Sequence, residues 1–312
     1  MREIAILLAT YNGEKYIGEQ LKSLINQTEQ NFICYIHDDG SKDKTLKIID
    51  EFKKDYPEKF VIWNYDSCKS AKNNFLSMLS KIKEKYVMFC DQDDIWLPDK
   101  IQKTFNKMRE EEKKFKDSPI CVFTDMKVVD EKLNVISNSF FKKMKKNPEN
   151  ILLQQLLADN VVAGCTSMIN RSCIELCNKY VDVKNIKMHD WWCALVAESC
   201  GKLVFLNETT SLYRQHSDNV VGIHKSKLNW FFKIIKNVCN HNQIESSRQG
   251  IKSIIRICKE LSNLDGIHEK YKTFLNQISS IDELPKFKRM EIFAGNKLIK
   301  RDLKNFWKII LV

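Results

Sequence analysis

The stretch "YVMFCDQDDIW", Tyr86 to Trp96, runs five apolar or aromatic residues into Asp91, Asp93 and Asp94, three carboxylates within four positions. Gathered carboxylates raise one another's pKa unless a cation or strong donors sit among them. Two carboxylates at i and i+2 on a strand end can share a divalent ion. Mg²⁺ or Mn²⁺ suits such a pair, completed by phosphate oxygens and water. A solvated acidic loop is the alternative, and the apolar strand before the cluster and Ile95-Trp96 after it argue against that. A second carboxylate, Asp190 in "MHDWW", stands among aromatics at a helix start. It is either a helix cap or, where the tryptophans desolvate it and raise its pKa, a general base. His216 in "YRQHSDN" reads as a turn histidine or as a metal ligand. "TYNG" (Thr10 to Gly13) and "HDDGSKDKT" (from His37) read as structural turns or as turns whose backbone N–H groups face an anion.

The elements that position these groups follow from hydrophobic periodicity. Ile4–Ala9, Phe32–Asp38, Val61–Tyr65 and Tyr86–Cys90 read as strands. They alternate with helical patterns at Lys15–Gln27, Lys44–Phe52, Ala71–Ile82 and Lys100–Lys116. This is the pattern of a parallel α/β sheet with crossover helices. "ATYNG", "HDDGS" and "CDQDD" then fall together at the carboxyl edge, where such sheets bind ligands. After Lys116 the runs "ICVFTDMKVVDEKLNVI", "NVVAGCTSMIN" and "KLVFLNETTSLYRQH", with a helix at "HDWWCALVAESCG", predict a mixed sheet built onto the first half. From Ile223 the pattern is helical and basic, with Trp230, Phe231, Ile234, Ile235 and Val238 at helical spacing, and Ser217–Lys227 is the expected joint.

The 312 residues allow one large domain or one domain with an appendage. No window holds the roughly 18 uninterrupted apolar residues of a membrane span, and the N-terminus is too short in its apolar part for a secretory signal. Eleven scattered cysteines, without paired C-x-x-C spacing, read as buried reduced thiols. The expected location is the cytoplasm. Residues 223–312 carry 18 Lys and Arg against 8 Asp and Glu, whereas residues 1–222 carry 33 against 32. The chain thus has a near-neutral body and a basic tail.

The order of "LLATYNGEKYIGEQLKSLINQT", "HDDGSKDKT", "CDQDDIWLPDKI", "AGCTSMINR", "HDWW" and "YRQH" resembles a family 2 glycosyltransferase with the GT-A fold, over about Ile4 to Gly222. It is most similar to bacterial rhamnosyltransferase-type enzymes of surface polysaccharide synthesis. The resemblance implies an α/β, Rossmann-like, mainly parallel sheet in residues 1–222, with a helical extension in 223–312. It implies that Thr10, Tyr11, Asn12 and Asp39 hold the nucleotide, and that Asp91 and Asp93 are the D-x-D that binds ribose and the metal–diphosphate. It further implies that Gly164 belongs to the loop beside the donor sugar, that Lys72 supplies a further diphosphate contact, and that His216 completes the Mn²⁺ or Mg²⁺ site. Asp190 matches the catalytic base, although His189 precedes it where many relatives have Glu. The reaction implied is inverting transfer from a nucleotide-diphosphate sugar (dTDP-rhamnose or a UDP-hexose) to a hydroxyl of a saccharide or polyprenyl-linked saccharide. Trp96, Trp191 and Trp192 are candidate acceptor-binding faces, at least one of them expected in the core.

The basic tail contains no recognised nucleic-acid module. "KSKLNWFFKIIKNV" and "KLIKRDLKNFWKIILV" combine Lys with aromatics as interfacial helices do, which fits an anionic inner membrane leaflet. Packing on the catalytic domain or on a second copy in a homodimer is the alternative. A metal-dependent nucleotidyltransferase and a non-catalytic sugar-nucleotide-binding module are the competing functional readings.

Overall fold

The computed structural model describes residues 2–149, 151–179, 184–216, 241–285, 288–289 and 291–292. The first half alternates as the periodicity requires: β1 (Ile4–Thr10), α1 (Ile17–Ile25), β2 (Phe32–Asp38), α2 (Thr45–Asp55), β3 (Phe60–Ile62), α3 (Ala71–Leu79), β4 (Tyr86–Asp91), the short β5 (Ile95–Trp96) and α4 (Lys100–Lys114). β3 starts one residue earlier and ends sooner than expected, although Trp63 N–H still donates to the Ile36 carbonyl (2.8 Å). The second half contributes β6 (Ile120–Val129), β7 (Val135–Ser137), α5 (Phe140–Met144), α6 (Leu153–Ala158), β8 (Ser167–Asn170), α7 (Arg171–Lys179), α8 (His189–Cys200) and β9 (Lys202–Arg214). Two further helices follow, α9 (His241–Ser262) and α10 (Glu269–Ser279).

The strands form one sheet in the order β3-β2-β1-β4-β8-β6-β9-β5, with β7 on the edge of β6. β1, β2, β3 and β4 are parallel, as are β6 and β9, while β8 runs antiparallel to both β4 and β6. Because helices cover both faces, β1 is apolar from Ile4 to Ala9 rather than alternating. Ala5 and Leu7 join the core under α3, α8 and the C-terminal helices, and Ile4, Ile6 and Leu8 join the core under α1, α2 and α4.

α8 is buried on every side, consistent with a sequence that is apolar all round. α3, α6, α7, β6 and β9 pack around it, and α9 closes the remaining side. Ile255, Cys258 and Leu261 of α9 and Tyr271, Phe274, Leu275 and Ile278 of α10 are buried in that shared core. The expected joint and the tail's aromatic cluster (Trp230, Phe231, Ile234, Ile235, Val238), as well as "KLIKRDLKNFWKIILV", lie outside the described residues.

Candidate active site

Parallel pairing aligns the carboxyl ends of three strands. Thr10 is opposite Asp38 on β2, and Ala9 is opposite Asp91 on β4. The chain order reverses at β1, with β2 on one side and β4 on the other, so this edge is a topological switch point. Thr10 is buried and its hydroxyl donates to Asp38 Oδ1 (2.7 Å). Tyr11 projects outward with 54% of its surface exposed, the backbone beneath it clamped by Gln92, which accepts from Tyr11 N–H at 2.9 Å and donates to its carbonyl at 3.1 Å.

The turn after β1 is tied to the turn after β2. Asn12 adopts a left-handed φ of 47°, which Asn tolerates better than most residues. Its N–H donates to Ser41 Oγ (2.7 Å), Gly13 N–H to Thr45 Oγ1 (2.8 Å) and Glu14 N–H to Asp43 Oδ2 (3.0 Å). The N–H groups of this turn are therefore taken by side chains, and the anion-facing alternative does not hold there. Asp39 Oδ1 accepts from Ser67 Oγ (2.8 Å) and Lys69 N–H (3.1 Å), fastening the loop ahead of α3.

Asp91 and Asp93 are half-buried and Asp94 is 1% exposed. Burial, then the charges of Asp93 and Asp190, pushes the Asp91 carboxyl up to about 7. Asp93 Oδ2 lies 2.7 Å from His216 Nε2, so the strand-end carboxylate and the late histidine meet although 123 positions separate them. Tyr16 packs on the His216 ring at 4.9 Å. A carboxylate and an imidazole, with the Asp91 carboxylate two positions before Asp93, are a donor set that fits Mn²⁺ or Mg²⁺. The sequence reading missed Arg214, the residue that holds this corner together. Its side chain is buried, donating to the Asp93 carbonyl (2.9 Å), the Glu131 carbonyl (2.8 Å) and the Glu19 carboxylate, while its N–H reaches Asp94 Oδ1 (3.3 Å). The "YRQH" string contains this arginine, but partners so remote in sequence give no local signal.

Asp190 opens α8 and is 8% exposed. Its Oδ2 accepts the Gly164 N–H (2.9 Å) and its Oδ1 the Asn160 amide (3.3 Å), and Asn160 is a second residue the sequence reading missed. Burial raises its carboxyl to about 6 against the pull of the Trp191 and Gly164 N–H groups and Asn160. Gly164 is required by close approach: a Cβ there would meet His189 Nε2 at 2.8 Å. His189 is wedged between Phe75 and Phe89, ring centroids 4.2 and 4.7 Å away, and burial pushes its imidazole down to about 3. A neutral ring therefore stands beside Asp190.

Two expectations are revised. The Lys72 ammonium, expected on a diphosphate, donates to the Ile186 carbonyl (2.9 Å). Trp96, Trp191 and Trp192, offered as acceptor-binding faces, are all buried. The indole of Trp191 donates to the Leu156 carbonyl (2.7 Å) and that of Trp192 to the Cys177 carbonyl (3.2 Å). These three rings are core, since the apolar residues flanking each of them carry it inward.

Residues 5–176 match the model of glycosyl transferase family 2. Over 233 residues the chain is 30% identical to the dTDP-rhamnosyl transferase RfbG of Shigella flexneri, covering 70% of this chain and 75% of that protein. In fold it is similar to S. aureus TarS 1-349 in complex with UDP-GlcNAc, with a TM-score of 0.59 at 16% identity over 98% of this chain and 78% of that one. A mannosyltransferase from Pyrobaculum calidifontis, in complex with GDP-Man and Mn²⁺, aligns with a TM-score of 0.54 at 10% identity over 95% of this chain and 73% of that one. The family match over more than half of its length, on a mixed, mainly parallel sheet of GT-A type, means that this chain belongs to glycosyl transferase family 2 and is a glycosyltransferase.

Proposed function

We propose that the enzyme moves a sugar, with inversion, from a nucleotide-diphosphate donor to a hydroxyl of a growing, lipid-linked surface polysaccharide, with Asp190 as the general base. The observation that carries this reading is a buried carboxyl, raised to about 6, at the start of α8 and close enough to Asp91 for its charge to be felt there. dTDP-rhamnose is the first candidate donor, because the Shigella flexneri relative is a dTDP-rhamnosyl transferase, and a UDP-hexose is the second.

Thr10, Tyr11 and Asp39 at the ends of β1 and β2 would hold the nucleoside, Tyr11 offering its exposed ring to the base. Asp91 would take the ribose. Asp93 and His216, with Asp91 beside them, would hold Mn²⁺ or Mg²⁺, which when bound neutralises the charge growing on the departing diphosphate. Asp190 takes the proton of the acceptor hydroxyl as its oxygen attacks the anomeric carbon from the face opposite the leaving group. The Gly164 N–H and the Asn160 amide orient the carboxylate for that transfer. A base so placed contributes roughly 10²–10⁴ in rate. No covalent intermediate is required.

Residues 1–222 would carry the catalytic groups, and the basic stretches of 223–312 outside α9 and α10 would place the enzyme on the inner face of the plasma membrane, where a polyprenyl-linked acceptor resides. No helix among the described residues is long and apolar enough to cross a membrane. Thermal unfolding against dTDP-rhamnose, UDP-glucose, UDP-galactose, UDP-N-acetylglucosamine and ATP, with Mn²⁺ and with EDTA, tests the donor. A ligand at about 100 times its Kd stabilises by about 2.7 kcal/mol. A metal-dependent rise with one sugar nucleotide supports the reading; a rise with ATP alone overturns it in favour of nucleotidyl transfer.

A further inference from the structure

Behind the strand-end carboxylates, one ligand set remains outside the chemistry described so far. A carboxylate oxygen of Asp91, one of Asp94 and the Cys165 sulfur lie within 4.8 Å of one another. Asp94 and Cys165 are 1% and 2% exposed, and Asp91, at the mouth, is half-buried. Asp94 Oδ1 accepts the Arg214 N–H (3.3 Å), whereas its Oδ2 is fully buried and has only the Cys165 thiol, a weak donor, to turn to. The Lys100 ammonium, also buried, donates to Thr210 Oγ1 (3.1 Å) and lies 4.8 Å from the Trp96 ring centre. A buried carboxylate oxygen left with a thiol as its one donor is costly, and native structures supply such groups with a stronger partner or an ion.

We propose that Asp91, Asp94 and Cys165 form a second cation site, selective for a thiophilic divalent ion such as Zn²⁺, and that filling it withdraws Asp91 from the nucleotide. The selectivity follows from the ligands. A thiolate favours Zn²⁺ or Cd²⁺, whereas Mg²⁺ and Mn²⁺ are hard ions that prefer carboxylate and phosphate oxygens to sulfur. Zn–S and Zn–O bonds of about 2.3 and 2.0–2.2 Å bring tetrahedral ligands to within roughly 3.5 Å of each other, so side-chain rotations of about an ångström close the site. Three protein ligands would leave a fourth position for water. The effect on the donor rests on the glycosyl-transfer reading; the cation site does not.

A second triad, His37, Asp39 and Cys68, also gathers ligand atoms within 4.8 Å. It is already engaged: His37 Nδ1 pairs with Asn74 Oδ1 (2.8 Å), His37 Nε2 with the Tyr65 carbonyl (3.3 Å), and Asp39 fastens the loop at Ser67 and Lys69. The test therefore uses Cys68→Ser as its background, which removes the competing thiol.

Cd²⁺ is titrated into the full chain in a thiol-free reductant while the ultraviolet thiolate-to-Cd²⁺ charge-transfer band is read. The band is expected in the Cys68→Ser background and lost when Cys165→Ser is added, with apparent affinity falling by at least about tenfold. Asp94→Asn should weaken binding similarly, circular dichroism and the melting midpoint reporting that each variant is folded. Absence of the band in the background protein, or its persistence with unchanged affinity in folded Cys165→Ser, overturns the proposal. In the same samples Zn²⁺ should weaken nucleoside-diphosphate binding in the background protein and not in Cys165→Ser. If Cd²⁺ binds as expected but the nucleotide is unaffected, the competition is overturned while the site stands.

Discussion

At the scale of single residues, burial gives Asp190 its reactivity and also sets its cost. Desolvation raises the carboxyl from 3.8 to about 6. The base works only when ionised, so kcat/KM is expected to rise with pH through about 6 and level off above it, a profile that a pH–rate series on a defined donor and acceptor checks. Asp190→Asn should lower kcat by roughly 10²–10⁴ with donor affinity retained. The stability effect has the opposite sign. Because the folded state holds the proton more tightly than the unfolded chain, ionised Asp190 weighs against folding fully above about 6, and this penalty fades as pH falls to 3.8. Asp190→Asn should therefore stabilise the fold by about 2 kcal/mol near pH 7.5, after allowing for one imperfect hydrogen bond to Gly164 N–H, with the gain shrinking in urea titrations at lower pH. Gly164→Ala puts a methyl 2.8 Å from His189 Nε2 and 3.5 Å from the Asp190 Cβ. With His189 held between two phenylalanines, a loss of about 1–3 kcal/mol is expected, with a fall in kcat beyond what unfolding explains.

At the scale of elements, the site is assembled by strand ends and by one arginine. The parallel strands were legible because each is a short apolar run bounded by turn residues, and their polar clusters fell on one edge as the topology rule requires. α5 and α6 were not legible, being five and six residues long and too short for periodicity to register. The three tryptophans were misread for a related reason: residue type does not reveal which way a ring points, and here apolar neighbours carry each one inward. Arg214 escaped notice because it joins elements distant along the chain, β9 to the Asp93 loop, the Glu131 turn and Glu19 of α1. Its loss strands buried carbonyls and exposes the corner that positions Asp93 and His216. Arg214→Met is expected to cost about 3–5 kcal/mol in denaturant unfolding, and any folded fraction should bind Mn²⁺ more weakly than the parent protein.

At the scale of the whole molecule, charge and hydrophobicity divide the C-terminal region into two jobs. The composition of residues 223–312 announced a basic, helical segment but not what it touches. The described helices show one answer: α9 and α10 bury their apolar faces against α8. His268 N–H donates to the Ser199 carbonyl (2.8 Å), His268 Nε2 pairs with the Gly201 carbonyl (2.8 Å), and the Tyr271 hydroxyl donates to Glu198. Since α8 also carries Asp190 at its other end, the hairpin supports the helix that presents the base. A chain ending at residue 222 would uncover the far side of a helix that is apolar all round, and each large side chain so exposed forfeits about 1.5–3 kcal/mol. With total stabilities of about 5–15 kcal/mol, that loss is not survivable. The truncated chain is expected to be aggregated or unfolded by size-exclusion chromatography and circular dichroism. Tyr271→Phe, which removes one hydroxyl, should lose only about 1–2 kcal/mol and stay monodisperse. A truncated chain that stays folded and active would instead mean that the sheet and α7 alone suffice to hold α8, freeing the whole C-terminal region for the membrane.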